Sequence, residues 1–225
     1  MPLPVSSLFT SRRPTRAAAS LLFIGCGGLA ALLFNTGCAD LHHEIVVSVP
    51  EQRMVLLSDG VPVAFYPVST SRFGLGDSPG SNGTPLGALE VAEKIGGGEP
   101  LGMKFKSRVP TGEIVPIDAP GRDPVVTRIL WLRGLDPGNA RAHDRYIYIH
   151  GTPEERNVGH PASYGCVRMR SRDVASLYDE VGRGARVFIR NEPLTQAASP
   201  YLVPGATLPP PISSVSASGS TATEQ

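Results

Sequence analysis

Cysteine is scarce in this chain of 225 residues: only Cys26, Cys38 and Cys166 occur. The first two fall in or at the edge of an N-terminal apolar segment. The folded part is therefore expected to hold one cysteine and no internal disulfide, which excludes a disulfide scaffold. Charge of one sign is lacking as well, since 21 Lys and Arg face 20 Asp and Glu for a formal net charge of +1. Three of those arginines, Arg12, Arg13 and Arg16, lie near the N-terminus. What remains is near neutral, so no electrostatic case for nucleic acid arises. His42, His43 and His143 lack a spaced Cys or His partner, and neither a metal nor any other cofactor is expected. No internal repeat and few long helical patterns occur.

What the chain does have is 25 glycines and 22 prolines between short apolar runs, the signature of a turn-rich, mainly β domain. Residues 1–38 read as an export segment, with a polar stretch carrying Arg12 and Arg13 before the uncharged Ala17 to Phe34. A soluble core helix would need a polar face, and Ala17 to Ile24 has none. Asn35-Thr36-Gly37-Cys38 resembles the lipobox of bacterial lipoproteins, with Asn35 where the pattern prefers Leu. Lipidation of Cys38, ordinary cleavage and an uncleaved anchor all remain open. Ser11-Arg12-Arg13 has a twin-arginine look, but Pro14 and Thr15 follow where apolar residues belong.

Residues 39–43 read as a short tether and 44–191 as the folded domain. Strands are expected over 45–49, 54–57, 61–66, 89–92, 125–132, 145–149 and 185–189. Asp59-Gly60 supplies the positive φ angles of a type I′ hairpin turn. Ser71 to Pro85 reads as a long loop of the kind that is often functional. The strand at 145–149 delivers His150 at its end, a rigid platform for a reactive group. Val174, Leu177, Tyr178 and Val181 have the spacing of one buried helix face, with Ser171 as the expected cap and Gly182 as the expected left-handed stop. From Glu192 to Gln225, Pro, Ser, Ala and Thr dominate, which predicts a disordered tail.

The stretch that carries chemistry is His150-Gly151-Thr152, a polar loop, then Ser163-Tyr164-Gly165-Cys166-Val167-Arg168-Met169. A thiol reacts as thiolate, and a nearby imidazole can lower its pKa and take its proton, so Cys166 is the candidate nucleophile and His150 the base. A lone cysteine is more often a small buried hydrophobe; the linked motif argues otherwise here. Gly165 permits close backbone approach, and amide N–H groups at this turn, that of Cys166 included, could hold an oxyanion. His160, between Gly159 and Pro161, reads as a solvated loop residue.

These motifs resemble the signature of the L,D-transpeptidase catalytic (YkuD) domain, with Tyr66-Pro67-Val68-Ser69-Thr70 and Asn82-Gly83-Thr84-Pro85-Leu86-Gly87 matching further upstream. The resemblance covers roughly Glu44 to Arg190. It implies a mainly β, sandwich-like fold with a short helix after the catalytic cysteine. It also implies attack by Cys166 on a peptidoglycan stem tetrapeptide, release of the terminal D-alanine, and transfer of the acyl group to an amine, giving 3-3 cross-links or a protein attachment. Arg168 is then expected in or near the donor site, with Thr152 and Ser163 as weaker substrate-binding candidates. Where the family most often has His or Arg this chain has Tyr164. A phenol is not a cation near neutral pH, so contact with an acidic substrate group there should weaken. The resemblance also predicts a covalent adduct with carbapenems. A monomer is expected, and the export segment places it in the periplasm or cell envelope, held at the membrane if Cys38 is lipidated. Hydrolysis of the same thioester, as in an L,D-carboxypeptidase, and a catalytically silent wall-binding lipoprotein are the alternatives.

Overall fold

The computed structural model describes residues 39–209. The expected export segment with Cys38, and residues 210–225 of the expected tail, lie outside the described residues. Ten strands follow one another: β1 (His43–Ser48), β2 (Arg53–Ser58), β3 (Val61–Pro67), β4 (Gly87–Ile95), β5 (Met103–Lys106), β6 (Val109–Ile114), β7 (Val126–Gly134), β8 (Tyr148–Gly151), β9 (Val167–Met169) and β10 (Arg186–Arg190). Helix α1 (Ser171–Glu180) links β9 to β10, and α2 (Leu194–Ala198) follows β10. The architecture is thus mainly β with a short helix after Cys166, as expected.

Hydrogen bonding orders the strands β3-β2-β1-β10-β4-β7-β5-β6, with β8 paired to β7 and β9 to β8. The β1–β10 and β8–β9 pairs are parallel and the rest antiparallel. The main core collects Ile45, Val47, Met54, Leu56, Val187 and Ile189 from one part of this ladder and Ile147, Ile149, Val167 and Met169 from another. Helix α1 adds Val174 and Leu177 to the same core. The β2–β3 hairpin turns at Asp59 and Gly60, both at positive φ (49° and 75°), as the type I′ turn requires.

The runs in β1 and β2 are apolar at every position because both faces of these strands are covered. Val46, Val55 and Leu57 point away from the main core into a second one, closed by Leu194, Ala197 and Ala198 with Tyr201 and Leu202 packed against it. Phe188 stacks on Tyr201 with ring centroids 3.9 Å apart. This corrects the expected tail: residues 192–209 are ordered, because the second face of β1 and β2 would otherwise meet water. The expected tether is corrected too. Asp40 Oδ2 accepts the Gly182 N–H at 2.6 Å, and the Asp40 N–H donates to Arg183 O at 2.7 Å.

Other local expectations shift. Ser171 does not cap α1 but opens it; its amide donates to Glu155 Oε1 and its hydroxyl accepts from Thr127. Gly182 is not left-handed, and Gly184 (φ 91°) takes that conformation instead. The strand expected at 145–149 starts at Tyr148, leaving Tyr146 at φ 58° before it. β5 and β6 had no legible pattern, since every residue of β6 is exposed and its turn is made by Ser107 and Arg108 at positive φ rather than by Asn-Gly.

Leu194→Ala should therefore cost about 2–4 kcal/mol and lower the melting temperature by roughly 5–10 °C in a circular-dichroism melt. An unchanged melting temperature would mean that the segment after β10 does not cover the sheet.

Candidate active site

Alternation along two short strands builds the site. In β8, Ile149 faces the core, so Tyr148 and His150 face the other way; in β9, Val167 and Met169 face the core, so Cys166 and Arg168 do not. The parallel register pairs Ile149 with Val167 and His150 with Arg168, which makes His150 and Cys166 diagonal neighbours on one face. Such neighbours have Cβ atoms about 7–8 Å apart, within reach of long side chains. Opposite His150, β7 carries an irregularity between Val126 and Ile129, with the β-branched Thr127 held at φ 71°. The extra residues there interrupt the β7–β8 ladder between His150 and Gly151. Gly151 tolerates no side chain, because a Cβ would stand 2.6 Å from Val126 O.

His150 is 4% exposed. Its Nδ1 lies 2.8 Å from Gly151 O, and a carbonyl only accepts, so Nδ1 carries the hydrogen and Nε2 is free to act as base. Burial lowers the imidazole pKa, opposed by the Gly151 hydrogen bond and by Asp123, so the resting ring is neutral. The Cys166 thiol meets Tyr148 N–H and Tyr146 O, each at 3.4 Å, and packs beside Met103, Phe105, Ile129, Trp131 and Tyr148. Burial pushes the thiol pKa up to about 11; the Tyr148 amide, Arg145 and Arg168 pull the other way. Both shifts favour the uncharged forms, thiol and imidazole, over thiolate and imidazolium.

The turn before Cys166 is built with care for its backbone. Gly165 has φ 117°, and a Cβ there would lie 3.1 Å from Gly83 O and 3.3 Å from the Ile147 side chain. Ser163 Oγ donates to Cys166 O at 2.6 Å and accepts the Gly165 N–H at 3.2 Å. Thr84, in the Asn82-Gly83-Thr84 motif, donates its hydroxyl to Gly165 O at 3.0 Å. The Gly165 amide is therefore occupied. Among the described residues nothing accepts the Cys166 N–H, so of the two amides expected from sequence to face an oxyanion only this one is without a partner.

Arg168 is 2% exposed and pairs with Asp123 and Glu154, while its Nη2 lies 3.3 Å from Ser69 Oγ. Asp123 also accepts from Thr152 Oγ1. Arg168 thus orders the wall rather than offering a free guanidinium to substrate, and Thr152 and Ser163, both buried, hold loops. Tyr164 is 61% exposed and lines a cleft of about 400 Å³ with Arg72, Arg122, Asp123, Glu154 and Arg168. Asp123, Glu154, Thr84 and Arg72 were not singled out from sequence. Only Thr84 carried a signal, its place in the upstream motif. His160 is exposed, as expected.

A family model described as the L,D-transpeptidase catalytic domain, YkuD, matches residues 42–189. The chain belongs to that family. It is similar to the probable L,D-transpeptidase YcfS of Escherichia coli K12, at 25% identity over 188 residues, 77% of this chain and 52% of the relative. It is also similar to the putative L,D-transpeptidase YqjB of Bacillus subtilis 168, at 40% identity over 55 residues, 24% of this chain and 31% of that protein. The chain spans about half the length of the first relative. Among solved structures, L,D-transpeptidase 3 from Mycobacterium tuberculosis aligns at 20% identity with a TM-score of 0.44, over 66% of this chain and 60% of that one.

For this L,D-transpeptidase family member the resting protonation state has a kinetic consequence. Alkylation of the free protein by iodoacetamide should rise about tenfold per pH unit between roughly pH 7 and 10, bending only near the raised thiol pKa. A rate that is already flat between pH 6 and 8 would indicate a preformed thiolate.

Proposed function

We propose that the protein is an L,D-transpeptidase acting on peptidoglycan stem peptides through a Cys166 thioester. The observation that supports this is the register of β8 and β9, which puts the Cys166 thiol and the His150 imidazole, its Nδ1 turned to Gly151 O, on one face as diagonal neighbours. The thiol leaves its seat between Tyr146 O and Tyr148 N–H and gives its proton to His150 Nε2. The thiolate attacks the carbonyl carbon on the C-terminal side of the stem's third residue, and the Cys166 N–H receives the oxyanion. Collapse breaks the amide bond. The imidazolium returns its proton to the departing amine, so D-alanine leaves and a thioester remains.

An acceptor amine then attacks the thioester, His150 takes the amine proton, and the sulfur departs as a new amide forms. Neutral resting groups suit this order of events, because charge develops only once substrate has displaced water from the face. Export by residues 1–38, with lipidation of Cys38 holding the domain at the membrane, would bring the enzyme to a polymer that lies outside the cytoplasm.

Intact-mass measurement after incubation with a carbapenem should give one adduct on the wild type and none on Cys166→Ala. His150→Gln should lower kcat/KM by about 10²–10⁴-fold. With a stem tetrapeptide and a diamino-acid acceptor, cross-linked product supports transfer, whereas tripeptide alone would point to the carboxypeptidase. Full activity in Cys166→Ala would end the thioester mechanism.

A further inference from the structure

Tyr164 removes a cation from the position beside the nucleophile turn, yet the fold brings one back. Ser71 pairs with Ser163 as an isolated parallel bridge, and the Arg72 N–H donates to Ser163 O at 3.1 Å. Because Ser163 Oγ also donates to Cys166 O, Arg72 is tied through one residue to the backbone of the nucleophile. Its guanidinium lies 4.5 Å from the Tyr164 ring centre and 4.9 Å from that of Phe73, and it donates to the Tyr164 hydroxyl. The Phe73 and Tyr164 rings themselves sit 5.1 Å apart. These partners are all neutral: they orient the guanidinium without cancelling its charge.

The cleft beside Tyr164 has three cations in its wall, Arg72, Arg122 and Arg168, and two acids, Asp123 and Glu154. Both acids are spent on Arg168. Among the described residues neither Arg72 nor Arg122 has a carboxylate at ion-pair distance. A wall with net charge +1, two unneutralised guanidiniums and room for a small acid group is chemically matched to a carboxylate, whose two oxygens fit a guanidinium fork.

We infer that Arg72, held over the Tyr164 ring, is a specificity-determining residue that binds a carboxylate of the peptide substrate, with Arg122 completing the positive wall. This rests on the stem-peptide reading given under Proposed function. The tyrosine then acts as a platform: its ring carries the guanidinium and its hydroxyl fixes the direction of the fork. The expected weakening of acidic contacts at Tyr164 is offset by a residue ninety-two positions earlier in the chain.

The test uses the full chain and stem tetrapeptides amidated at one carboxyl group at a time, with the free-acid peptide as reference. For the wild type, one of the amides should lose about tenfold or more in kcat/KM, chiefly through KM, as expected for a charge-assisted contact. Its identity tells which carboxylate is held. In Arg72→Gln that penalty should shrink to below about threefold, and Arg72→Lys should keep most of it. A purely structural Arg72 would alter stability without altering the acid-to-amide ratio. Equal turnover of all the amides by wild type, or an undiminished penalty in Arg72→Gln, overturns the inference even if the carbapenem adduct forms. Absence of both adduct and turnover overturns the transpeptidase reading, and this inference with it.

Discussion

The parallel pairing of β8 with β9 is the constraint on which the site depends. Side chains alternate across a sheet, so a register shift of one residue would bury the thiol in the core and lift Val167 to the site face. Everything near the pair acts to hold that register. Ser69 exchanges two backbone hydrogen bonds with Arg168, at 2.9 and 2.8 Å. Thr152 N–H donates to Met169 O at 3.0 Å, and Ser163 and Thr84 clamp the glycine turn from the other side. The Ser- and Gly-rich segment between β3 and β4 is thus part of the scaffold of the Cys166 turn, which gives its polar composition a structural reason.

Electrostatically the site keeps its reactive groups neutral and its charges paired at one remove. Burial disfavours both the imidazolium and the thiolate, and the buried Arg168 is matched by Asp123 and Glu154 instead of facing the sulfur alone. An unpaired buried guanidinium would be costly, since it would lose hydration without a compensating partner. On the opposite flank, Arg108 from the β5–β6 turn lies 4.5 Å from the Trp131 ring centre and 5.2 Å from that of Tyr146. The aromatic shelf at the thiol therefore also carries cationic charge at its rim.

Much of the arrangement was legible in the chain. The strand runs, the Asp59-Gly60 turn and the buried stripe Val174, Leu177, Val181 were read from residue spacing, because these patterns record which face meets the core. The alternation Ile147-Tyr148-Ile149-His150 and Cys166-Val167-Arg168-Met169 carries the two-faced character of the site in the sequence itself. The segment from Glu192 was misread because its composition is that of a flexible tail. The counter-signal lay elsewhere: Ile45-Val46-Val47 and Met54-Val55-Leu56-Leu57 are apolar on both faces and require a cover on each. Ser171 and Gly182 were assigned plausible capping roles from residue type, but Glu155 and Asp40, distant in the chain, took those backbone groups.

By itself the sequence determined the mainly β class, the hairpin, the helix after Cys166 and the one thiol and one imidazole that are the candidates for nucleophile and base, all of which follow from local spacing and functional groups. Only the tertiary structure decided the burial that favours the uncharged forms of that pair, the burial of Arg168 among acids, the cover over the second sheet face and the placement of a cation, Arg72, beside Tyr164. Each of these depends on groups far apart in the chain and on how far water is excluded. Burial and distance are properties of the packed molecule and leave no mark on the spacing of residues along it.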